Sequence, residues 1–311
     1  MISIRAVRSI RTAFFCALTV FFGSLLSAAD KPEPLTLVFY NLKNYLAMER
    51  RIDGEVIEDA PKPGPEVEAL IAAIKTMGPD ILGVCELGDT SFLNDLQKRL
   101  QEEGLDLPHT ELVTAASGFN RNLALLSKYP IIDRNSRDDY TYSIGDLKLP
   151  FQRGVLDVTL AINPQYHLRY IGLHLKSKRE IPEADQALMR LNEARLAREH
   201  IDRILEKEPG TNLIVVGDLN ELRHEPPVKA LQGRFGRKDY LTSLMLSDQY
   251  GFRWTHHWSF ADSYARFDFA LYSKGLTKEI NRDQSRIHHW DDWDKASDHR
   301  PLVVEIVPED Q

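Results

Sequence analysis

Cysteine is scarce in this sequence of 311 residues, which contains only two. Cys16 lies in an N-terminal segment that we expect to be removed, so the mature chain keeps only Cys85. A single cysteine excludes an intrachain disulfide, and the lack of a Cys pair or a closely spaced His pair with metal-site context disfavours zinc. Stability must therefore come from packing, and about 280 residues are enough for one large core.

Long hydrophobic runs are also missing, apart from one at the N-terminus. Arginines at positions 5, 8 and 11 precede an apolar run over 13–26, and the small residues at 27–29 offer a cleavage site. The run is short for a membrane span. We therefore predict an export signal over residues 1–29 and a mature protein located in the periplasm or outside the cell. A retained anchor is the alternative.

The sequence has no excess of positive charge. It contains 39 Lys and Arg against 46 Asp and Glu, a net charge of −7, and removal of the three N-terminal arginines would make it −10. An acidic surface repels polyanions at long range, so such a substrate would need a local basic patch. Internal repeats and interdomain linkers are absent as well, and we predict a single domain over residues 30–311.

The sequence does contain a series of short apolar runs that end in polar residues. Segment 41–65 is predicted to be a loop because it is charged and then rich in proline. Adjacent strands in the middle of the chain favour antiparallel pairing. Strands are predicted over 35–40, 81–86, 123–127, 154–160, 168–173, 213–216, 266–272 and 302–307, and helices over 66–77, 92–103 and 184–206.

The clearest of these runs is Leu213 to Val216, which predicts a strand buried on both faces. Gly217, Asp218 and Asn220 follow it. On their own they fit either an Asx-turn or a functional site at the end of the strand.

Polar residues occupy similar positions at the ends of the other runs. Strand ends at one edge of a sheet open into a common crevice, so we expect these side chains to converge. A set rich in carboxylate and amide oxygens suits Mg²⁺ or Mn²⁺. Besides Asp218 and Asn220, the set contains Asn41, Glu86, His174, Asp268, Asp298 and His299.

Two segments give the sequence a recognisable resemblance. Gly217 to Asn220 (Gly-Asp-Leu-Asn) and Ser297 to Pro301 (Ser-Asp-His-Arg-Pro) occur in this order, with Glu86 earlier in the chain. From Asn41 to the last strand, the chain resembles the endonuclease/exonuclease/phosphatase superfamily. The resemblance implies an α/β fold, a four-layer α/β sandwich of two mixed β-sheets flanked by helices, and metal-dependent hydrolysis of a phosphate ester.

The resemblance also implies a metal site. Glu86 would hold the divalent cation, Mg²⁺ or Mn²⁺, with Asn41 and Asp298 near it. Asp218 and Asn220 would orient the attacking water and the phosphate.

Two histidines complete the set that the resemblance implies. His299, paired with Asp268, matches a base-side histidine, and His174 matches a second histidine that binds the phosphate or protonates the leaving oxygen. General chemistry fits this division, because one group must take a proton from water and another must give one to the leaving group. An imidazole with a pKa near 6.5 can do either near neutrality.

The substrate stays open at this stage. Candidate contacts to its phosphate are Arg121, Asn122, Arg153 and Lys176, although most Lys and Arg side chains are simply solvated. The aromatic stretch over 254–260 could form a wall beside the substrate or could be core. The substrate could be a nucleic acid, a phospholipid headgroup or a small phosphate ester, and the exposed apolar hairpin expected of a sphingomyelinase is not evident in the sequence.

A different class of function is also compatible with the fold. The chain could be a binding or adhesion module with a degenerate site. The intact set of metal and histidine positions argues against this reading.

Overall fold

The computed structural model describes residues 32–310, and the export signal predicted over residues 1–29 lies outside this range. Among the described helices, none is both long and apolar enough to cross a membrane. The main elements are β1 (Leu35–Tyr45), β2 (Met48–Ile52), β3 (Glu55–Ala60), α1 (Gly64–Met77), β4 (Ile81–Leu87), α2 (Thr90–Glu102), β5 (His109–Val113), β6 (Asn122–Ser127), β7 (Ile131–Arg134), β8 (Thr141–Ile144), β9 (Leu147–Pro150), β10 (Leu156–Ala161), β11 (His167–His174), α3 (Gln186–Lys207), β12 (Leu213–Asp218), α4 (Pro226–Gln232), β13 (Thr242–Ser243), β14 (His256–Trp258), β15 (Ser263–Ala265), β16 (Asp268–Tyr272), β17 (Ile280–Ile287), α5 (Trp293–Ala296) and β18 (Leu302–Ile306).

Two six-stranded sheets form the centre of the described region. The strand order is β17-β18-β1-β4-β6-β5 in the first sheet and β13-β16-β12-β11-β10-β7 in the second. Strands β1 and β4 are parallel, as are β11 and β12. The neighbouring pairs β4/β6 and β10/β11 are antiparallel, so both sheets are mixed. The antiparallel pairing predicted for the middle of the chain is confirmed for β10 and β11.

Three apolar clusters define the layers. Side chains such as Phe39 and Val216 fill the space between the two sheets. Leu70 of α1 packs in a cluster on the outer face of the first sheet, and Ile201 of α3 packs on the outer face of the second, in a cluster that also includes Val228 of α4. The order helix, sheet, sheet, helix confirms the predicted four-layer α/β sandwich.

Strand β12 is buried on both faces, as predicted from its sequence. Ile214 and Val216 belong to the cluster between the sheets, whereas Leu213 and Val215 face the helices. The side chains of a strand alternate between its two faces, so a strand between two apolar layers must be apolar throughout. The apolar sequence of β12 ends at its last residue, Asp218.

Segment 41–65 differs from the predicted loop. Strand β1 continues to Tyr45, strands β2 and β3 form an antiparallel hairpin, and α1 begins at Gly64. The hairpin lies mostly in solvent on both faces, so its sequence carries no apolar alternation. Pro65 lies in the first turn of α1, where its missing N–H breaks no helical hydrogen bond.

Candidate active site

Three strand ends meet at one edge of the second sheet. In the register of the sheet, His174 of β11 lies beside Asp218 of β12, and Asp218 lies beside Asp268 of β16. All three side chains are buried. Gly217 precedes Asp218, and a Cβ at this position would overlap the backbone carbonyl of Leu173. Glycine therefore allows β11 and β12 to approach closely just before the site.

The first sheet contributes to the same place. Asn41 in β1 donates a hydrogen bond from Nδ2 to Oδ2 of Asp218 at 3.1 Å. The same Nδ2 atom lies 3.5 Å from Nε2 of His299. His299 belongs to the segment that enters β18, so Asn41, Asp218 and His299 join the edges of both sheets.

A carboxylate holds the ring of His299 from behind. Oδ2 of Asp268 lies 2.8 Å from Nδ1 of His299, and Nε2 of His299 lies 3.7 Å from Oδ2 of Asp218. Burial alone would lower the pKa of His299, but Asp268 and Asp218 outweigh it and raise that pKa to about 10. The pair of acids therefore favours the charged imidazolium.

Asp218 has two distinct oxygens. Oδ1 accepts the backbone N–H of Asn220 at 2.9 Å, which is an Asx-turn, while Oδ2 faces Asn41 and His299. Burial raises the pKa of Asp218 to about 7 against the opposing charge of His299. Asn220 donates its side-chain amide to the carbonyl of Leu175. The Asx-turn and the functional site, the two interpretations that the sequence allowed, are therefore formed by the same residues.

His174 lies on the other side of Asp218. Its Nε2 atom is 3.7 Å from Oδ2 of Asp218 and 3.9 Å from Oε1 of Glu86. Its Nδ1 atom has no hydrogen-bond partner within residues 32–310. Burial lowers the pKa of His174 well below its ordinary value, and the charges of Arg153, His299 and Arg121 act in the same direction. His174 is therefore neutral at pH 7.

Glu86 and Asp298 line one open cleft of about 690 Å³ next to these buried groups. Oε2 of Glu86 accepts the backbone N–H of Asn44 at 3.0 Å. Oδ1 of Asn41 accepts the N–H of Lys43 at 2.9 Å, and its amide nitrogen faces Asp218. Two carboxylates at the mouth of a cleft, with an amide behind them, are a donor set that fits Mg²⁺ or Mn²⁺.

A second set of possible ligands is more deeply buried. Among the described residues, Asp218, Asp268 and His299 have donor atoms that all lie within 4.8 Å of one another, a spacing that could hold a metal ion. The bond between Asp268 and Nδ1 of His299 already uses part of this set. The buried cluster therefore fits proton transfer better, and the open pair Glu86 and Asp298 fits the cation better.

The backbone at the site is strained in several places. Lys43, Asn44, Glu86 and Asn220 all have φ between 46° and 60°, in the left-handed region. Residues other than glycine rarely adopt this conformation, which costs on the order of 1–3 kcal/mol and concentrates at functional sites. The strain turns Glu86 out of the direction of β4 and toward the cleft.

The candidate phosphate-binding residues fall into two groups. Arg121, Arg153 and Lys176 line the cleft with Glu86. Asn122 does not line it: its amide donates to the carbonyl of Gly88, and its oxygen accepts the N–H of Ala115. Asn122 thus fixes two backbone segments beside the cleft.

Three buried residues that support the site were missed by the sequence reasoning. The hydroxyl of Thr255 accepts the backbone N–H groups of Phe267 and Asp268. Glu193 in α3 accepts the N–H groups of Gln152 and Lys176. Arg300 donates to Asp248 at 2.6 Å and lies 3.4 Å from the ring centre of Trp254. Only Arg300 had a signal in the sequence, since it belongs to the motif at Ser297 to Pro301.

The aromatic stretch divides into packed and exposed parts. The rings of Trp254 and Trp293 lie edge to face, and the ring of His256 is 4.7 Å from that of His299. Strands β14 and β15 form a short hairpin whose turn exposes 55% of Trp258 and 89% of Phe260. The sequence did not reveal this hairpin, which exposes two aromatic side chains and whose base pairs with His299.

Several solved structures share this fold. Sphingomyelinase C from Streptomyces griseocarneus has a TM-score of 0.59 at 15% identity, over 88% of this chain and 99% of that one. The human nocturnin catalytic domain, solved with a bound sulfate anion, has a TM-score of 0.59 at 16% identity, over 88% and 95%. Truncated TDP2 from Caenorhabditis elegans has a TM-score of 0.58 at 14% identity, over 88% and 98%. The search of curated proteins found no match.

A model of one protein family matches most of the chain, including most residues of the site. The model of the Endonuclease/Exonuclease/phosphatase family matches residues 44–299. The matched segment includes His174, Asp218, Asp268 and His299 and ends at the last of them. On this match and the shared fold, the chain belongs to the Endonuclease/Exonuclease/phosphatase family.

Proposed function

We propose that this protein is an exported phosphoesterase that hydrolyses a phosphate ester with the help of Mg²⁺ or Mn²⁺. One observation carries the proposal. Asn41, His174, Asp218 and His299 come from four separate chain segments, and their side-chain atoms approach to 3.1–3.7 Å. A buried set of this kind, made of an acid, an amide and two imidazoles, suits proton transfer to and from water and an ester oxygen.

The cation belongs at the mouth of the cleft, with Glu86 and Asp298 as its ligands and Asn41 beside them. Bound there, it supplies positive charge that neutralises the phosphate oxygens as the ester bond breaks. Arg121, at 4.0 Å from Glu86, adds a further positive charge at this end of the cleft.

Proton transfer falls to the buried residues. Asp218 receives the proton of the attacking water, the imidazolium of His299 stabilises the charge of Asp218, and Asp268 fixes the ring of His299. Asn220 holds the turn that aims Asp218. Nε2 of the neutral His174 is available on the opposite side to donate a hydrogen bond to the phosphate or to the leaving oxygen. Each acid or base contribution is worth on the order of 10²- to 10⁴-fold in rate.

A chromogenic substrate tests the class of reaction. Hydrolysis of bis-p-nitrophenyl phosphate with Mg²⁺ is measured for the wild type, Glu86→Gln and His299→Ala. We expect both variants to lose at least about 100-fold in turnover. Asp139→Asn, which removes an exposed ion pair with Arg137, serves as the control and should keep wild-type turnover. Unchanged turnover in both site variants would contradict the proposal.

The exposed hairpin supports a lipid headgroup as a second candidate substrate. Trp258 and Phe260 are aromatic, exposed and next to the site, and such side chains insert readily into a membrane interface. Turnover of phosphodiester lipids in vesicles, compared with the same headgroup ester in solution, tests this candidate.

A catalytically degenerate binding module remains the alternative to an enzyme. Titration of the mature protein with Mn²⁺ separates the two, because an enzyme of the proposed kind binds the ion through Glu86. Absence of binding at millimolar Mn²⁺, together with no turnover of any phosphate ester, would favour the module.

A further inference from the structure

Two buried basic side chains in the cleft beside Glu86 form no ion pair with any residue of the described part of the chain. Within residues 32–310, the structure buries six Lys and Arg side chains. Four of them form ion pairs with Asp or Glu: Lys62, Arg190, Arg198 and Arg300. The other two, Arg153 and Lys176, have no carboxylate within 4.0 Å in this part of the chain, and both line the same cleft.

Burying a charge without an ion-pair partner is unfavourable, so an oxyanion bound in the cleft would stabilise both side chains. Arg153 is only 7% exposed, and its Nε has no hydrogen-bond partner among the described residues. One of its terminal nitrogens donates to Oε1 of Gln152 at 2.7 Å. The guanidinium thus retains donors that can bind an oxyanion.

Lys176 adds a second charge. It is 3% exposed, and its ammonium group is held by the carbonyls of Ser177 and Arg179 at 3.0 Å and 2.8 Å. Neutral carbonyls fix its position, and the nearby Glu193 accepts its backbone N–H but forms no ion pair with its ammonium group. Arg179 also lines the cleft, and the exposed Glu180 and Glu183 at the rim offset part of the positive charge.

A buried side chain of α3 supports the cleft from the protein interior. The buried carboxylate of Glu193 accepts the N–H groups of Gln152 and Lys176, so one side chain of α3 positions both cation-bearing segments. A site whose two charges share one buried support is preorganised, which reduces the cost of binding.

The cleft lies next to the proposed cation site. Its lining includes Glu86 and Asp298 but none of the buried residues His174, Asp218, Asp268 and His299. Lys176 follows His174 by two residues, about 7 Å of extended chain. The cleft therefore begins at the proposed cation ligands and runs past the loop that follows His174.

We propose that this cleft binds a second phosphate group of the substrate, on one side of the ester that is hydrolysed, through Arg153 and Lys176. The inference rests on the proposed function and narrows its substrate to phosphate esters with a further phosphate on one side. Such a group occurs in a nucleic-acid strand and in multiply phosphorylated small esters. A zwitterionic lipid headgroup lacks it.

Dinucleotides with one extra phosphate test the inference. We compare kcat/KM for TpT, pTpT and TpTp, which differ only in a terminal phosphate. The wild type should prefer one of the two phosphorylated forms over TpT by at least tenfold, and inositol bisphosphate should then distinguish a strand from a small ester as the source. The doubly substituted Arg153→Gln/Lys176→Gln protein should lose this preference.

Two further variants control for folding and for net charge. Arg153→Lys keeps the charge and should retain part of the preference. Lys178→Gln removes a charge from the same loop, but its ammonium pairs with Glu221, so this variant should keep the full preference. Thermal unfolding of each variant confirms that the fold is intact.

The outcomes separate the inference from the proposed function. Equal kcat/KM for all three dinucleotides in the wild type would overturn the inference, and so would an equal gain from a phosphate at either end. Turnover of sphingomyelin vesicles without any dinucleotide preference would overturn it in favour of the lipid. If no ester is hydrolysed, the proposed function fails. Calorimetric binding of pTpT and TpTp by the metal-free protein then tests the inference alone. Binding that is unaffected by Arg153→Gln/Lys176→Gln would show that the cleft does not hold the second phosphate.

Discussion

Nδ1 of His299 lies 2.8 Å from Oδ2 of Asp268, and both side chains are buried. The carboxylate fixes the orientation of the ring and the position of its proton. We predict that Asp268→Asn lowers kcat by about 10²- to 10⁴-fold, because an amide neither fixes the same tautomer nor stabilises the imidazolium.

The measurement is hydrolysis of bis-p-nitrophenyl phosphate, with KM determined separately. Removal of a group that acts on proton transfer should reduce kcat with little change in KM. A variant that keeps wild-type kcat would show that Asp268 only fills space.

A second His–Asp pair, far along the same sheet, has a different expected role. Asp157 is fully buried, lies 2.7 Å from Nε2 of His200 and forms two bonds of 2.8 Å and 2.6 Å with Arg169. Asp157→Asn removes the buried charge that binds the half-buried Arg169, so we predict a loss of about 1–3 kcal/mol in the free energy of unfolding.

Asp139→Asn is the matched control for this prediction. Asp139 pairs with Arg137 at 2.6 Å, but both side chains are exposed, so its loss should leave the free energy of unfolding nearly unchanged. Urea unfolding measures both. Equal small losses would mean that the network around Asp157 contributes little.

Glu86 is expected to hold the cation. We predict that EDTA abolishes turnover, that Mg²⁺ or Mn²⁺ restores it, and that Glu86→Gln weakens Mn²⁺ binding by at least about tenfold, because a hard cation prefers a charged oxygen. Isothermal titration with Mn²⁺ measures the affinity without relying on catalysis. Glu111→Gln, which removes a carboxylate paired with Arg134 instead, should bind Mn²⁺ as the wild type does.

The sequence was most informative where a buried strand ends in a polar residue. A strand packed on both faces is apolar throughout, so Asp218 at the end of β12 and Glu86 near the end of β4 stand out in the sequence. The register of the sheet then brings such ends together, as it does for His174, Asp218 and Asp268.

The sequence was least informative where structure depends on distant partners. The hydroxyl of Thr255 supports Asp268 through two backbone N–H groups that lie 12 and 13 residues away. Glu193 looks like an ordinary helix glutamate until the fold buries it against Gln152 and Lys176. No local pattern encodes such contacts, because they exist only after the sheets and helices have packed.

We predict that the hairpin of β14 and β15 affects the turnover of a lipid substrate separately from stability. Trp258 and Phe260 are exposed, so Trp258→Ser/Phe260→Ser should change the free energy of unfolding by no more than about 0.5 kcal/mol for each residue. If the substrate is a lipid, turnover of vesicles should fall at least tenfold, while turnover of bis-p-nitrophenyl phosphate stays the same.

Phe235→Ser provides the control for this hairpin prediction. Phe235 is 85% exposed and does not belong to the hairpin. Vesicle turnover that is equally reduced by Phe235→Ser would mean that the hairpin has no special role at a lipid surface.

Glu193 gives the protein a pH dependence of stability with a defined sign. Burial raises the pKa of Glu193 to about 7, against the opposing effects of Arg153 and of the two backbone N–H groups. The unfolded chain releases this proton near pH 4.5, whereas the folded chain keeps it until about pH 7. The folded state therefore binds more protons in this window, and its stability falls as the pH rises from 4.5 to 7, by at most about 3 kcal/mol.

Comparison with Glu193→Gln isolates this contribution, since all other titrations are common to both proteins. The free energy of unfolding of the wild type minus that of the variant should decrease between pH 4.5 and 7 and stay constant above pH 7.5. The same comparison with Glu221→Gln should give a pH dependence of the opposite sign. The bonds from Lys178 and Arg190 outweigh burial and lower the pKa of Glu221. The carboxylate of Glu221 therefore stabilises the fold more as the pH rises through the acidic range. A difference for Glu193→Gln that does not vary with pH would show that Glu193 is ionised in the folded protein throughout, and its two N–H bonds would then outweigh the cost of its burial.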